Sequence, residues 1–212
     1  VDWLAKQLRT ANVRVMRGVE ATVASVLVLK PDAVIVATGA ETRLPNLPGV
    51  DGDNVATVGA VLAGNAPVGR RCVILDETGY TPGPKVADAL SLAGHEVEIV
   101  TRQYSLGEDI GTTVRAVLHE RLLRQGVTIT PLTRPLAIHG DGVRVQHTLT
   151  DAEWEIAADT VILSSGSVGR DDLYHALQAA APNLELHLIG DAFAPRHQRH
   201  AMVDGARVGR GV

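Results

Sequence analysis

The sequence predicts an α/β protein in which one strand–helix–strand unit is nested inside a second α/β unit. Three observations carry this expectation. The first is a strand–helix–strand run: RCVILD, apolar over its centre, then PKVADALSLAGH, then HEVEIVTR. A crossover of that length joins parallel strands and turns right-handed. The second is an internal echo. DAVIVATGA (32–40) and DTVILSSGS (159–167) each begin with Asp, run through a buried-strand pattern and end in a small, hydroxyl-bearing turn with Gly. Two strands of one design, far apart in the chain, suggest two dinucleotide-type folds, one interrupting the other. The third is composition: 45% hydrophobic residues, rich in Val and Ala, with only 3% aromatics, which suits layered helices and sheets.

The elements follow in order. Residues 1–12 place Val1, Leu4, Ala5 and Leu8 at helical spacing with no N-cap before them, so a helix is expected from the first residue. Residues 13–18 (VRVMRG) are expected as a short strand, and 23–29 (VASVLVL) are a nearly uninterrupted apolar run. Ala33–Ala37 is the next strand. The stretch LPNLPGVDGDN is a breaker-rich crossover, and 57–64 a short helix or turn. In the inner unit, Val86, Leu90 and Ala93 form the buried stripe of a helix closed by Gly94. Val97 and Ile99 alternate with Glu96 and Glu98 in the following strand. A second helix spans about 112–125, with Val114, Val117, Leu118 and Leu122 expected on its buried face and Gly126 at its C-terminal cap. VTIT (127–130), GVRVQHTLTD (142–151) and EWEIAADTVILSSG (153–166) are expected as an antiparallel meander feeding one buried strand. The tail has a strand at 186–189, a Gly190-Asp191 turn, and a helix carrying Ala201, Gly205 and Val208.

Charge and cysteine content exclude several classes. A net charge of −4 supplies no global basic field for nucleic acid, and no apolar run approaches the length of a membrane span. No signal peptide is visible, so a cytoplasmic setting is expected. The single Cys72 cannot form an internal disulfide, a four-cysteine iron–sulfur site or a Cys-based zinc site within this chain. It lies in the apolar run CVIL and reads as a buried structural thiol. RHQRH (196–200) sets His197 and His200 beside two arginines without a carboxylate ligand, so no metal is expected. Ser164, Ser165 and Ser167 lack a G-x-S-x-G elbow. His139 and His147 flank a meander turn and are expected at the surface, while Trp3 and Trp154 are expected to pack. No catalytic residue emerges.

Two turns are candidates for nucleotide contact. A strand running into Thr38-Gly39 lets a ligand approach the backbone, because Gly carries no Cβ. A strand ending in Gly190-Asp191 before a helix is the arrangement with which flavin enzymes hold a ribityl chain or pyrophosphate, and Arg196 could touch a phosphate. The first strand and Gly-rich loop of such a domain are missing from the 31 residues upstream of Asp32. In the inner unit a nicotinamide site would need glycines in the loop Glu77–Lys85. Anchored on Gly83, with Ala87 four residues later, the other two fingerprint positions fall on Thr78 and Tyr80. Pro82 and Pro84 remove backbone donors, and Asp76 and Glu77 oppose phosphate. Arg102 stands where an arginine reading the phosphate of NADP would lie, or is a solvated strand-end charge.

The order ATGA (37–40), PNLPG (45–49), strand–loop–helix, DTVILSSG, IGDAFAPR (189–196) and AMVDGARVGR (201–210) resembles the C-terminal region of old-yellow-enzyme-like NADH:flavin oxidoreductases of the trimethylamine/histamine dehydrogenase and 2,4-dienoyl-CoA reductase type. The resemblance implies a glutathione-reductase-like pair of domains. A Rossmann-like NAD(P)-binding domain (67–166) would be nested in an incomplete FAD/ADP-binding domain (1–66 and 167–212). It implies FAD or ADP held through Thr38, Gly39, Gly190, Asp191 and Arg196. Gly83 and Arg102 would be what remains of an NAD(P) site whose glycines are lost, as in the trimethylamine dehydrogenase subgroup. FMN and a 4Fe–4S cluster would belong to an N-terminal barrel outside this sequence. The implied partners are the rest of the parent flavoenzyme, an electron-transfer flavoprotein and further copies in an oligomer, with neither nucleic acid nor membrane. Three functions stay open: part of an amine dehydrogenase-like flavoenzyme, the NAD(P)H-binding part of a dienoyl-CoA or enoate-type reductase, and a structural module that binds no nucleotide.

Overall fold

A computed structural model describes residues 2–212. The chain divides into two compact units, an outer one built from residues 1–39 and 169–212 and an inner one from 40–168.

The inner unit begins with β2 (Ala40–Thr42), β3 (Val55–Thr57) and the short α3 (Val58–Leu62), after the outer unit has contributed α1 (Asp2–Thr10), α2 (Val23–Val28) and β1 (Ala33–Val36). It continues through β4 (Arg71–Asp76), α4 (Pro82–Leu92), β5 (Glu96–Thr101), α5 (Thr112–Arg124) and β6 (Thr128–Thr130). An antiparallel meander of β7 (Thr133–His139), β8 (Gly142–His147) and β9 (Glu153–Ala157) follows, then β10 (Thr160–Ser164) and β11 (Ser167–Gly169). Five parallel strands lie in the order β3-β10-β4-β5-β6, and β2 pairs with β11.

Alternation along the strands sends their side chains into two cores. Cys72, Ile74, Ile99 and Ile162 meet Val86, Ala87 and Leu90 of α4 and Leu122 of α5 on one face. Val73, Leu75, Val161 and Leu163 meet Val143, Val145 and Ile156 of the meander on the other. A strand covered on both faces tolerates no polar interruption, which is why β10 is buried at every position. Cys72 is buried as the sequence implied, and burial raises its thiol to about 11.

The outer unit closes with α6 (Asp172–Ala180), β12 (Glu185–Leu188), a 3-10 turn at Gly190–Ala192 and α7 (Gln198–Val208). Among the described residues its sheet is β1 and β12, parallel, with Val36 opposite Leu188.

Several expectations are corrected. Residues 13–18 form no strand: Val13, Val15 and Met16 are exposed, and an extended segment without a neighbour has no partner for its backbone groups. The run 23–29 is mostly helix. Thr22 and Ser25 cap it reciprocally, Ser25 N donating to Thr22 Oγ1 at 3.2 Å and Thr22 N to Ser25 Oγ at 2.8 Å, and this local chemistry outweighs the β-branched composition. On α5, Val114 and Val117 face outward and only Leu122 is buried. VTIT joins the parallel sheet through β6 beside β5, and the first meander strand is instead 133–139, whose Pro135 hid it from the sequence pattern. Trp3 is exposed, whereas Trp154 packs against the inner core. Helix α6 had no expectation attached.

Candidate functional site

In the inner sheet the chain steps from β4 to β5 and β6 on one side, then returns to β10 on the other. The reversal opens a crevice beyond the C-terminal ends of β4 and β10, the place where open parallel sheets take ligands. A cavity of about 240 Å³ lies there, with Thr42, Val58, Thr78, Pro82, Ser165 and Gly166 among its walls.

What the crevice lacks is a phosphate cradle. Helix α4 starts Pro82-Gly83-Pro84 with no side-chain cap, so two of the first three helical positions have no N–H to offer an anion. Gly83 serves packing. A Cβ there would stand 2.9 Å from Asp76 Oδ1, so the missing side chain lets the helix close onto the end of β4. Asp76 is 2% exposed. Its Oδ1 accepts from Thr78 Oγ1 at 2.8 Å and Ser164 Oγ at 2.9 Å, while Oδ2 is buried without a partner. Burial pushes this carboxyl above its ordinary value, against the opposing pull of the Thr78 and Ser164 hydroxyls. The expectation that Asp76 and Glu77 act alike against phosphate is thereby refined. Asp76 is buried and engaged by the Thr78 and Ser164 hydroxyls, and Glu77 is the carboxylate at the crevice edge.

Glu77 binds two arginines. Arg43 Nη2 lies 3.3 Å from its Oε2 and Arg102 Nη2 3.4 Å from its Oε1. Arg102 is therefore paired as well as exposed. Arg43 could not be found from the chain alone, because the contact joins segments remote in it.

In the outer unit, the parallel pairing of β1 with β12 brings the two candidate turns together. Thr38-Gly39 leaves β1 and Gly190-Asp191 leaves β12, with Ile189 N donating to the Val36 carbonyl at 3.0 Å. Both glycines have positive φ, +77° at Gly39 and +62° at Gly190, and a Cβ on Gly39 would meet nothing within 4 Å. The turn is thus open on the side where a ligand would approach. Thr38 donates its hydroxyl to the Arg170 carbonyl, and Arg170 N donates to the Gly39 carbonyl. Thr38 and Arg170 also line a cavity of about 370 Å³ with Glu20, Ala21, Asp172 and Leu173. Asp191 Oδ1 accepts from Arg196 N at 3.2 Å. The Arg196 guanidinium is held by Asp204 Oδ2 at 2.6 Å, which also accepts from Gly190 N. Gly83 and Arg102 belong to the inner unit and the other five candidates to the outer one. Among the described residues, no group of three or more His, Cys, Asp and Glu is placed to hold a metal ion, and no helix is long and apolar enough to cross a membrane.

A five-stranded parallel sheet with a ligand crevice at its reversal, interrupting a second α/β unit, defines a Rossmann-like oxidoreductase fold. Within that class the chain belongs to the pyridine nucleotide-disulphide oxidoreductase family, which matches residues 2–186. Its relatives include amine dehydrogenase-like flavoenzymes as well as proteins described as a metal reductase and an NADH oxidase. It is 27% identical to the N,N-dimethylglycine/sarcosine dehydrogenase of Chromohalobacter salexigens, over 97% of this chain and 35% of that protein. It is 28% identical to the dimethylamine dehydrogenase of a Hyphomicrobium species, over 84% and 29%. The 6-hydroxypseudooxynicotine amine oxidase of Pseudomonas geniculata superposes with a TM-score of 0.92 at 31% identity, over 99% of this chain and 33% of that one. The histamine dehydrogenase of a Rhizobium species shares the fold, with a TM-score of 0.84 at 24% identity over 92% and 32%. The chain spans about a third of the length of these relatives.

Proposed function

We propose that this chain is the nucleotide-binding portion of an amine dehydrogenase-like flavoenzyme. In this reading its outer unit holds ADP or FAD, and its inner unit keeps the dinucleotide fold without holding NAD(P). The observation that carries the reading is the contrast between the two turns. In the outer unit two positive-φ glycines end adjacent parallel strands; Gly39 is open on its Cβ side, whereas Gly190 is buried against Ala201. The inner turn is stripped of donors by Pro82 and Pro84.

Gly39 and Gly190 would let the nucleotide lie against backbone, Asp191 would accept from a hydroxyl, and Arg196 would lend charge to a phosphate. FAD, when bound, supplies electron-carrying chemistry. The chain's own residues bind and orient, and none is assigned a catalytic role. Oxidation of a small amine, with electrons passed to an electron-transfer flavoprotein, belongs to the proposed whole enzyme.

The test is release of nucleotide from the intact natural polypeptide by acid precipitation, followed by chromatography. One ADP or FAD per chain is expected, with lower occupancy in Asp191→Ala. No adenine nucleotide at all would overturn the reading in favour of a structural module.

A further inference from the structure

The Arg43–Glu77–Arg102 cluster lies beside the inner crevice, since Arg43 follows Thr42 and Glu77 precedes Thr78, both of which line the cavity. Two cations share one carboxylate, one oxygen each. The cluster therefore carries one positive charge in excess. Its guanidiniums remain half exposed, at 53% and 56%, while the Glu77 side chain is 18% exposed. Solvent reaches the cations more freely than the anion between them.

Arg43 is fixed without help from Glu77. Its Nε donates to the Ser165 carbonyl at 3.0 Å, its backbone N donates to the Gly166 carbonyl at 3.1 Å, and its own carbonyl accepts from the Ser165 hydroxyl. The loop after β10 thus aims Nη2 at the place Glu77 occupies. Glu77 is anchored through its backbone, its N–H donating to the Ser164 carbonyl at 2.9 Å. Both oxygen–nitrogen separations exceed the ~2.7–2.9 Å of a strong charge-assisted hydrogen bond. A phosphate has more oxygens and a second charge to offer the same two guanidiniums.

We infer that Arg43 and Arg102 form an anion-receiving notch whose occupant is the chain's own Glu77, a built-in block that keeps phosphate-bearing ligands from the inner crevice. The tethered carboxylate competes at high effective concentration and leaves no translational cost to itself. The inference rests on the reading that the inner unit holds no NAD(P), and it names the residue responsible at the crevice edge.

The experiment is calorimetric titration of the intact natural polypeptide with inorganic phosphate at constant ionic strength, for the unaltered protein and for Glu77→Gln. Phosphate affinity is expected to rise about tenfold or more in Glu77→Gln and to fall back when Arg43→Ala or Arg102→Ala is added. Unchanged affinity in Glu77→Gln would overturn the proposal, as would a gain that survives removal of both arginines. If Glu77→Gln does not fold, Glu77→Asp serves, because its shorter carboxylate cannot span both guanidiniums. Tighter phosphate binding than in the unaltered protein supports the notch, and equal binding overturns it. Bound ADP or FAD, measured on the same samples, keeps the two readings apart. Nucleotide present with no phosphate gain refutes only the notch. A phosphate gain with no nucleotide refutes only the functional reading of the outer unit.

Discussion

Strands β1 and β10 carry nearly the same sequence, DAVIVATG and DTVILSSG, and live in different surroundings. β10 has parallel neighbours on both sides, β3 and β4, and is buried throughout. β1 pairs with β12 alone among the described residues. Only Val36 of its four positions is buried, and Ile35 is 39% exposed. A run of small β-branched residues specifies a strand, whereas burial is conferred by what lies on its edges and faces. The turns that follow differ in the opposite sense. The well-buried unit has the crevice whose helix start lacks backbone N–H donors at Pro82 and Pro84, and the sparsely paired unit has the open Gly39 turn.

The largest expected effect is on the cores. Ile74→Ala, at a fully buried position beside β10, should cost about 3–4 kcal/mol. Ile35→Ala in β1 should cost about 1 kcal/mol or less. Hydrogen exchange resolved by segment should show β4 and β10 loosening in the first variant and little change in the second. Equal costs would show that the sheets holding β1 and β10 are supported to the same degree.

Glycine turns sharpen it. Gly49, at φ +82°, would place a Cβ 2.1 Å from the Ile138 carbonyl oxygen, so Gly49→Ala must displace backbone of the meander and should cost about 3 kcal/mol. Gly39→Ala meets open space and pays only for its positive φ, about 1–2 kcal/mol. It should lower nucleotide occupancy more than it lowers stability. Thermal midpoints and nucleotide content of the two variants give the check.

Asp76 supplies a pH signature for the inner unit. Its folded-state value lies above the ordinary 3.8, so between 3.8 and that value the folded form holds a proton that the unfolded form has lost. The protonated carboxyl's stabilising contribution is complete below 3.8 and is lost as pH rises through the folded-state value. Asp76→Asn should flatten that decline in urea-denaturation midpoints measured across the acid range, while leaving the Thr78 and Ser164 contacts an acceptor. A slope identical to that of the unaltered protein would contradict the assignment.

The smallest effect concerns Cys72, whose buried thiol is raised to about 11. Iodoacetamide at mildly alkaline pH should label it only after denaturation.

Much of the inner unit was legible because its signals are local and periodic. Strand β4, the stripe Val86–Leu90 and the alternation in β5 each follow from near neighbours in sequence. The misreadings fall where structure depends on remote partners or on a cap. Among the described residues VRVMRG has no neighbouring strand and Val114 and Val117 no covering layer, and VASVLV obeys its Thr22–Ser25 cap. In the candidate site, the glycine turns and the two prolines could be read from the chain. Glu77's pairing could not, since Arg43 and Arg102 reach it only after the sheet has formed.

We propose that the outer unit holds an adenine nucleotide and that the inner unit holds no NAD(P). The most direct measurement is equilibrium dialysis of the intact natural polypeptide against labelled NADPH, with bound ADP and FAD quantified in the same sample. One adenine nucleotide per chain and no saturable uptake of millimolar NADPH are expected. One NADPH bound per chain would contradict this and return the inner crevice to the role of a nicotinamide site.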